Sequence, residues 1–345
     1  MKIYTFNAPD TTRVEILSPL KPKNKDRIFD KFIEENDYTE VASLLNCDLA
    51  IYPRRVFQPE TLEFDSGVYE AVVAAQQYGK PIIIDATSDS DVFLNLPTAH
   101  ILRCGLYKSL QQTFETECPF WSNYRTKNIL DFMTVNQNKG NKPVVGFCGT
   151  TSSRGRLSNL VKSSVPKNLT QFALSQGKIA RQIDIRVKEG MSLKLRQATI
   201  DLLVKDPRIE TYFDITNNHQ SYYSQSEQNR ILLEKLFIKN MQRCDYTLCV
   251  RGTGNYSGRF YMALNAGRIP IVLDTDVVIP YEDLLYIIKV PIQDFHRIGD
   301  IILEHFESVT ELELKYIKLQ NKEVFNQFLT PEKFFANYLK DCLES

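Results

Sequence analysis

The stretch Asp245–Asp276, DYTLCVRGTGNYSGRFYMALNAGRIPIVLDTD, constrains the surrounding fold more than any other part of the chain. An apolar run, Tyr246–Val250, ends at Arg251. A loop with glycines at 252, 254 and 258 follows, then a helical pattern from Ser257 to Ala266 stopped by Gly267, then a second apolar run, Pro270–Leu273. Strand, helix and strand at this pace signal a parallel sheet with both faces covered. The loop also has a chemical meaning. Backbone N–H groups at a helix start point outward, and the helix dipole favours negative charge there. Arg251 and Arg259 flank the turn, and guanidinium forks suit phosphate oxygens. In open α/β sheets ligands bind beyond the carboxyl ends of the strands, where this loop falls. The glycine spacing is not G-x-G-x-x-G, and without G-K-[S/T] it is not a P-loop. The residues alone therefore read equally well as an anion cradle or as a tight connection.

The same alternation runs through the rest of the chain. Lys2–Phe6, Cys47–Tyr52 (bounded by Pro53), Pro81–Asp85 and Ala99–Leu106 read as strands. Arg27–Glu35, Glu40–Leu45 and Ser66–Tyr78 read as helices, the last capped by Ser66 and stopped by Gly79. The polar stretch 135–143 is the clearest break, so the expected domains are 1–138 and 139–325, followed by a C-terminal helix, 326–345. In the second half Val144–Cys148 and Ile209–Phe213 read as strands, Leu157–Lys162 and Ser192–Val204 as helices. Gln228–Arg243 reads as a helix with Leu232, Leu233, Leu236 and Phe237 on its core face. About 40 residues at the C-terminus read as wholly helical.

Composition narrows the function classes. The 345 residues are enough for roughly two domains. Lys+Arg and Asp+Glu both number 42, a balance that disfavours long nucleic acids and anionic membranes as main partners. It leaves room for a small anion bound by a local patch. No window approaches the ~20 apolar residues of a membrane span, and the first ten residues do not form a signal peptide. Seven cysteines, an odd number set mostly in apolar runs, suit reduced thiols and a cytoplasmic location. Cys244 and Cys249 alone make a weak zinc signal.

The 245–276 segment resembles the C-terminal half of exostosin-family glycosyltransferases, with the pattern L-C-x-R-G-x-G-N-[FY]-S-x-R-F-Y-E-x-L-x-x-G-R-I-P-V. The chain matches at Leu248, Cys249, Arg251, Gly252, Gly254, Asn255, Tyr256, Ser257, Arg259, Phe260, Tyr261, Leu264, Gly267, Arg268, Ile269 and Pro270. Lys142–Gly149 is similar to the family's opening strand of the second domain. The resemblance implies the α/β architecture called GT-B, two Rossmann-like domains facing a central cleft, with a helical C-terminus. It implies a hexosyl- or pentosyltransferase that moves a sugar from a nucleoside-diphosphate sugar to a glycan hydroxyl, with inversion and without a metal or other cofactor. The donor would meet Arg251, Gly252, Gly254, Asn255, Tyr256, Ser257, Gly258, Arg259 and position 262, with Gly149 at the end of the second domain's opening strand. Arg259 would stabilise the departing diphosphate. The family usually carries an acid at position 262, where this chain has Met262, which cannot accept hydrogen bonds from ribose hydroxyls.

Other residues are weighed on their own chemistry. Asp85, ending an apolar strand, is the expected general base, its plainer reading being a turn residue; Asp10, Asp65 and Glu70 are comparable. Arg154 and Arg156 follow the first strand of the second domain and either add to the donor pocket or are solvated. Asp89/Asp91 and Asp274/Asp276 spell D-x-D, the metal-holding pattern of another glycosyltransferase class, but read more simply as turns. His219 reads as a loop residue and Tyr222 and Tyr223 as packing residues, with cleft roles as the alternative. Two rival functions follow: a non-catalytic sugar-nucleotide or glycan-binding partner of another transferase, and a metal-dependent D-x-D transferase.

Overall fold

The computed structural model describes residues 1–6, 35–57, 63–96, 98–121, 129–135, 138–151, 177–216 and 226–344. In chain order the elements are β1 (Lys2–Thr5), β2 (Thr39–Glu40), β3 (Leu49–Arg55), α1 (Gly67–Gln77), β4 (Ile82–Asp85), β5 (Ala99–Arg103) and β6 (Glu115–Glu117). Then come β7 (Val144–Thr150), α2 (Gly177–Gln182), α3 (Ile185–Val204), β8 (Glu210–Thr216), α4 (Glu227–Arg243), β9 (Tyr246–Leu248), α5 (Gly258–Asn265), β10 (Ile269–Asp274) and β11 (Ile288–Pro291). Three helices close the chain: α6 (Ile298–Ser308), α7 (Glu311–Val324) and α8 (Pro331–Glu344).

The chain divides into two compact units. The first comprises Met1–Leu106, Leu110–Trp121 and Gln327–Ser345; the second comprises Tyr107–Ser109 and Ser122–Asn326. Each is built on a wholly parallel sheet, ordered β2-β1-β3-β4-β5-β6 in the first and β11-β10-β9-β7-β8 in the second. The α/β class, a parallel Rossmann-like sheet in each of two units and the helical C-terminus expected from the sequence are present.

Burial explains the strand sequences. Ile82, Ile83 and Ile84 are each at most 1% exposed, so both faces of β4 are covered and the run need not alternate. Each such side chain contributes about 1.5–3 kcal/mol by leaving water. In the first unit α8 sends Phe334, Phe335, Tyr338 and Leu339 into a core with Ile3, Leu49 and Ile83. In the second, α3 and α6 pack on Val145, Phe147, Leu248 and Ile271, while α4 and α5 meet at Ile238, Met241, Ala263 and Ala266, joined by Leu130 and Met133.

Several local expectations are corrected. Glu40–Leu45 is not a helix: Thr39 and Val41 donate to Met1 and Ile3 carbonyls, extending the sheet edge, and only Leu44–Asn46 forms a 3-10 turn. Strand β3 does not stop at Pro53 but runs through it to Arg55. Proline lacks the ladder N–H, and the register against β4 shifts between Ile51 and Arg55. Ser66 gives α1 no side-chain cap; Asp65 accepts from the Gly67 amide instead. On α4 the buried face carries Glu234, Ile238, Asn240 and Met241, while Leu232 is 62% exposed, so the leucine cluster does not mark the core side. The helix expected at Leu157–Lys162 and nearly all of Arg27–Glu35 lie outside the described residues.

Candidate anion-binding site

In the second sheet β7 is followed by β8 on one side and β9 on the other, so the strand order reverses between β7 and β9. A crevice opens at the carboxyl ends of strands at such a point, and ligands bind there. The sequence places a glycine-rich connection on each of these two strands: Gly149 near the end of β7, and the 251–258 loop after β9.

The loop is a preformed turn. The Gly252 amide donates to the Tyr256 carbonyl at 2.9 Å. Arg251 is only 4% exposed and is spent on the loop: Nη1 donates to Asn255 Oδ1 at 2.8 Å and to the Tyr107 hydroxyl at 3.2 Å, and Nη2 donates to the Thr253 carbonyl at 3.1 Å. Its buried Nε has no partner. Asn255, 2% exposed, ties the loop to the end of β10, accepting from Thr275 Oγ1 at 2.7 Å and donating to the Thr275 carbonyl at 3.2 Å. Arg251 thus shapes the cradle rather than reaching freely out of it.

Arg259 is placed differently. It sits in the first turn of α5, and Nε donates to the Cys148 carbonyl at 2.6 Å, with the guanidinium 4.4 Å from the Phe147 ring centroid. A Cβ on Gly149 would overlap Arg259 Nη2, so glycine there is what lets the guanidinium lie across the end of β7. Burial lowers the Arg259 pKa, and only the thiols of Cys148 and Cys249 oppose this. Burial likewise pushes Cys148 up to about 11, with Arg259 pulling it down. Neither Arg251 nor Arg259 forms an ion pair with a carboxylate among the described residues. A partly desolvated cation without an anion is costly, and an anionic ligand removes that cost.

The helix start fits the same ligand. Ser257 is the N-cap of α5 but makes no side-chain cap bond, and its Oγ is buried without a partner. First-turn amides normally need such a cap. Gly254 is buried; Gly252, Tyr256 and Gly258 are half-buried. Met262 points elsewhere: it packs against the Leu130, Met133, Ile238 and Met241 cluster. The sequence gives no warning of Arg196, which α3 brings to the same edge. Its Nε and Nη1 donate to the carbonyls of Val250 and Thr150, each at 3.3 Å, and its Nη2 lies 3.3 Å from where a Cβ on Gly252 would be. Only the strand order, which makes β7 and β9 neighbours, reveals it.

Asp85 belongs to the first unit. It is 4% exposed; Oδ1 accepts from the Thr87 amide at 2.9 Å and from the Thr87 hydroxyl, and Oδ2 lies 3.5 Å from Arg55 Nε. Burial raises its pKa against the pull of Arg55 and Thr87. This is the turn-residue reading, and a carboxylate so enclosed has no face open to a substrate hydroxyl. Asp65 is held by Tyr52, Arg54 and Gly67, and Glu70 is exposed on α1. In Asp274-Thr-Asp276, Asp274 Oδ1 accepts from the Asp276 amide at 3.1 Å and its Oδ2 lies 3.4 Å from Lys289 Nζ, while Asp276 Oδ2 accepts from the amide and hydroxyl of Ser109. Asp274 locks its own turn, and Asp276 is tethered to Ser109. Asp10, Arg154, Arg156, His219, Tyr222 and Tyr223 lie outside the described residues. Among the described residues no helix is long and apolar enough to cross a membrane.

No protein-family model and no curated protein matches the chain. Among solved structures it is similar to Anabaena HepE in complex with UDP and glucose, at 10% identity over 98% of this chain and 99% of that one, with a TM-score of 0.36. It is also similar to a glycosyltransferase from Rickettsia africae, at 8% identity over 100% and 99% of the two chains, with a TM-score of 0.37. An α1,3-fucosyltransferase matches at 12% identity over 100% and 90%, with a TM-score of 0.37. At these TM-scores the likeness assigns neither a residue nor a reaction.

Proposed function

We propose that the chain is a glycosyltransferase of the exostosin-like, GT-B kind, which takes its sugar from a nucleoside-diphosphate sugar bound at the end of β7 and β9 and passes it to a glycan hydroxyl. The observation that carries this reading is Arg259: a guanidinium with one backbone hydrogen bond and, among the described residues, no carboxylate, lying beside the open N-terminus of α5 at the switch point of a parallel sheet. As the bond from the anomeric carbon to the diphosphate breaks, negative charge grows on the leaving oxygen. A fixed guanidinium and helix-start amides stabilise that charge without reorganising. Arg196 adds a second cation at the same edge, and Arg251 fixes the loop. Inversion at the anomeric carbon and transfer without a metal or cofactor belong to the same reading. The engagement of Asp274 by its own turn and Lys289, and of Asp276 by Ser109, supports the latter. The proton from the acceptor hydroxyl is not routed through Asp85, which is enclosed by Thr87 and Arg55. Seven unpaired thiols support a reducing, cytoplasmic setting.

The test is calorimetric binding of UDP, GDP and their sugar conjugates to the wild-type chain and to Arg259→Ala, followed by transfer and hydrolysis assays on the donors that bind. Micromolar binding lost in the variant is the expected result; equal affinity of the two proteins refutes the site. A second reading, a non-catalytic nucleotide-sugar or glycan-binding partner of another transferase, draws support from Met262, whose apolar packing leaves no carboxylate at that position for ribose. Binding with neither transfer nor hydrolysis of any donor favours it.

A further inference from the structure

Residues Tyr107–Ser109 belong to the second unit although Leu106 and Leu110 on either side are counted with the first. These three residues make a dense set of contacts with the loops of the anion site. Tyr107, 1% exposed, pairs in a bridge with Val277 and accepts from Arg251 Nη1, its ring centroid 5.8 Å from the guanidinium carbon. The Lys108 amide donates to the Asp276 carbonyl at 2.8 Å, and its Nζ pairs with Glu282. The amide and hydroxyl of Ser109 donate to Asp276 Oδ2. Asp276 is one of few non-glycine residues with positive φ, 62°, a conformation that needs outside support.

These bonds close a ring. Arg251 holds Asn255, Asn255 holds Thr275, Asp276 holds Ser109 and Lys108, and Tyr107 returns to Arg251. Arg251 Nη1 has two protons, and both are used, one on Asn255 and one on Tyr107. The three acceptors Tyr107 Oη, Asn255 Oδ1 and the Thr253 carbonyl are neutral, so they orient the guanidinium without cancelling its charge.

We propose that Tyr107–Ser109 is a strut that sets the geometry of the 251–256 loop for its anion, with Tyr107 the positioning residue for Arg251. The proposal rests on the reading of that loop as a diphosphate site. It makes affinity for the donor depend on a segment that lies 144 residues before Arg251 and outside the glycine-rich motif.

The test measures binding of inorganic pyrophosphate, UDP and GDP to wild type, Tyr107→Phe, Arg251→Lys, the double variant and Arg259→Ala, with thermal midpoints alongside. Tyr107→Phe keeps the ring and its packing and removes the hydroxyl that accepts from Arg251. The expected result is affinity about five- to tenfold weaker for each ligand that binds, a midpoint within about 2 °C of wild type, and little further loss when Arg251→Lys is added. Unchanged affinity in Tyr107→Phe, or fully additive losses in the double variant, overturns the strut. If Arg259→Ala abolishes binding while Tyr107→Phe does not weaken it, the strut fails and the site stands. If the wild-type chain binds none of the ligands, the site fails and the strut with it. Where Tyr107→Phe does not yield folded protein, Ser109→Ala decides: about twofold weaker binding supports the strut, and no change overturns it.

Discussion

The two parallel sheets follow the same chain logic yet finish their carboxyl ends with opposite electrostatics. In the first unit β3 and β4 end in Arg54, Arg55 and Asp85, and the guanidinium groups have carboxylates beside them: Arg54 Nε lies 2.5 Å from Asp65 Oδ2, and Arg55 Nε 3.5 Å from Asp85 Oδ2. In the second unit β7 and β9 end at Thr150 and Leu248, and the arginines gathered there, 251 and 259, are held by carbonyls, an amide oxygen and a phenol. Withdrawing charge from water must be offset by something. The first unit offsets it internally; in the second no carboxylate among the described residues pairs with Arg251 or Arg259, and the proposed diphosphate would supply the offset.

The sharpest way to break this contrast is Arg259→Ala. Charge-assisted hydrogen bonds to a phosphate are worth roughly 1.5–3 kcal/mol, so UDP affinity measured by calorimetry is expected to fall about 10- to 100-fold, while Arg55→Ala leaves it unchanged. An equal loss in both variants removes the distinction between the two sheet ends. Gly149→Ala acts one step back. Its methyl group displaces Arg259 from the end of β7, and the expected outcome is about tenfold weaker UDP binding together with destabilisation of about 1–3 kcal/mol by urea unfolding. Wild-type affinity in that variant means that the guanidinium has room elsewhere and does not need this position. In the first unit Asp85→Asn deletes one partner of the Arg55 pair. Because Arg55 is 40% exposed, solvent screening reduces the loss to about 1 kcal/mol of stability, with UDP affinity unaltered. A changed affinity breaks the contrast from the other side.

Much of this arrangement could be read in the residues before any coordinates. Apolar runs such as Ile82–Ile84 and Tyr246–Leu248 announce buried strands because parallel strands are covered on both faces, and the glycines at 252, 254 and 258 announce a turn the backbone must make tightly. What escaped had no local signature. Pro53 reads as a strand end, yet the ladder tolerates it by shifting register. Leu232, Leu233, Leu236 and Phe237 read as a core stripe; Phe237 does pack on the buried cluster, but Leu232 is exposed and the sheet lies against Asn240, which donates to the carbonyls of Phe147 and Tyr212. Arg196 and Tyr107 meet the glycine loop only through strand order and chain crossing, which single-segment patterns do not encode. Asp85, as the last residue of an apolar strand, could be placed at the sheet edge, but whether its carboxylate faced substrate or its own turn depended on Thr87 and Arg55 closing around it.

The smallest expected effect tests the contrast from its inverse. Glu117, 4% exposed, is an acid in the first unit held mainly by backbone: its two oxygens accept from the amides of Gly105 and Leu106, each at 2.8 Å. Burial pushes its pKa up to about 8, against the opposing pull of those amides and of Arg103. Its folded value therefore lies above the value of about 4.3 in an unfolded chain. Between the two the native state binds the proton more tightly, so its stabilising contribution is complete below about pH 4 and is lost as pH rises towards 8. The thermal midpoint is expected to decline across that window in the wild-type chain and to decline less in Glu117→Gln, which has no proton to release. Parallel curves for the two proteins would show that Glu117 is already ionised in the fold. The first unit would then also carry a buried charge held mainly by backbone amides, and that arrangement would no longer set the anion site apart.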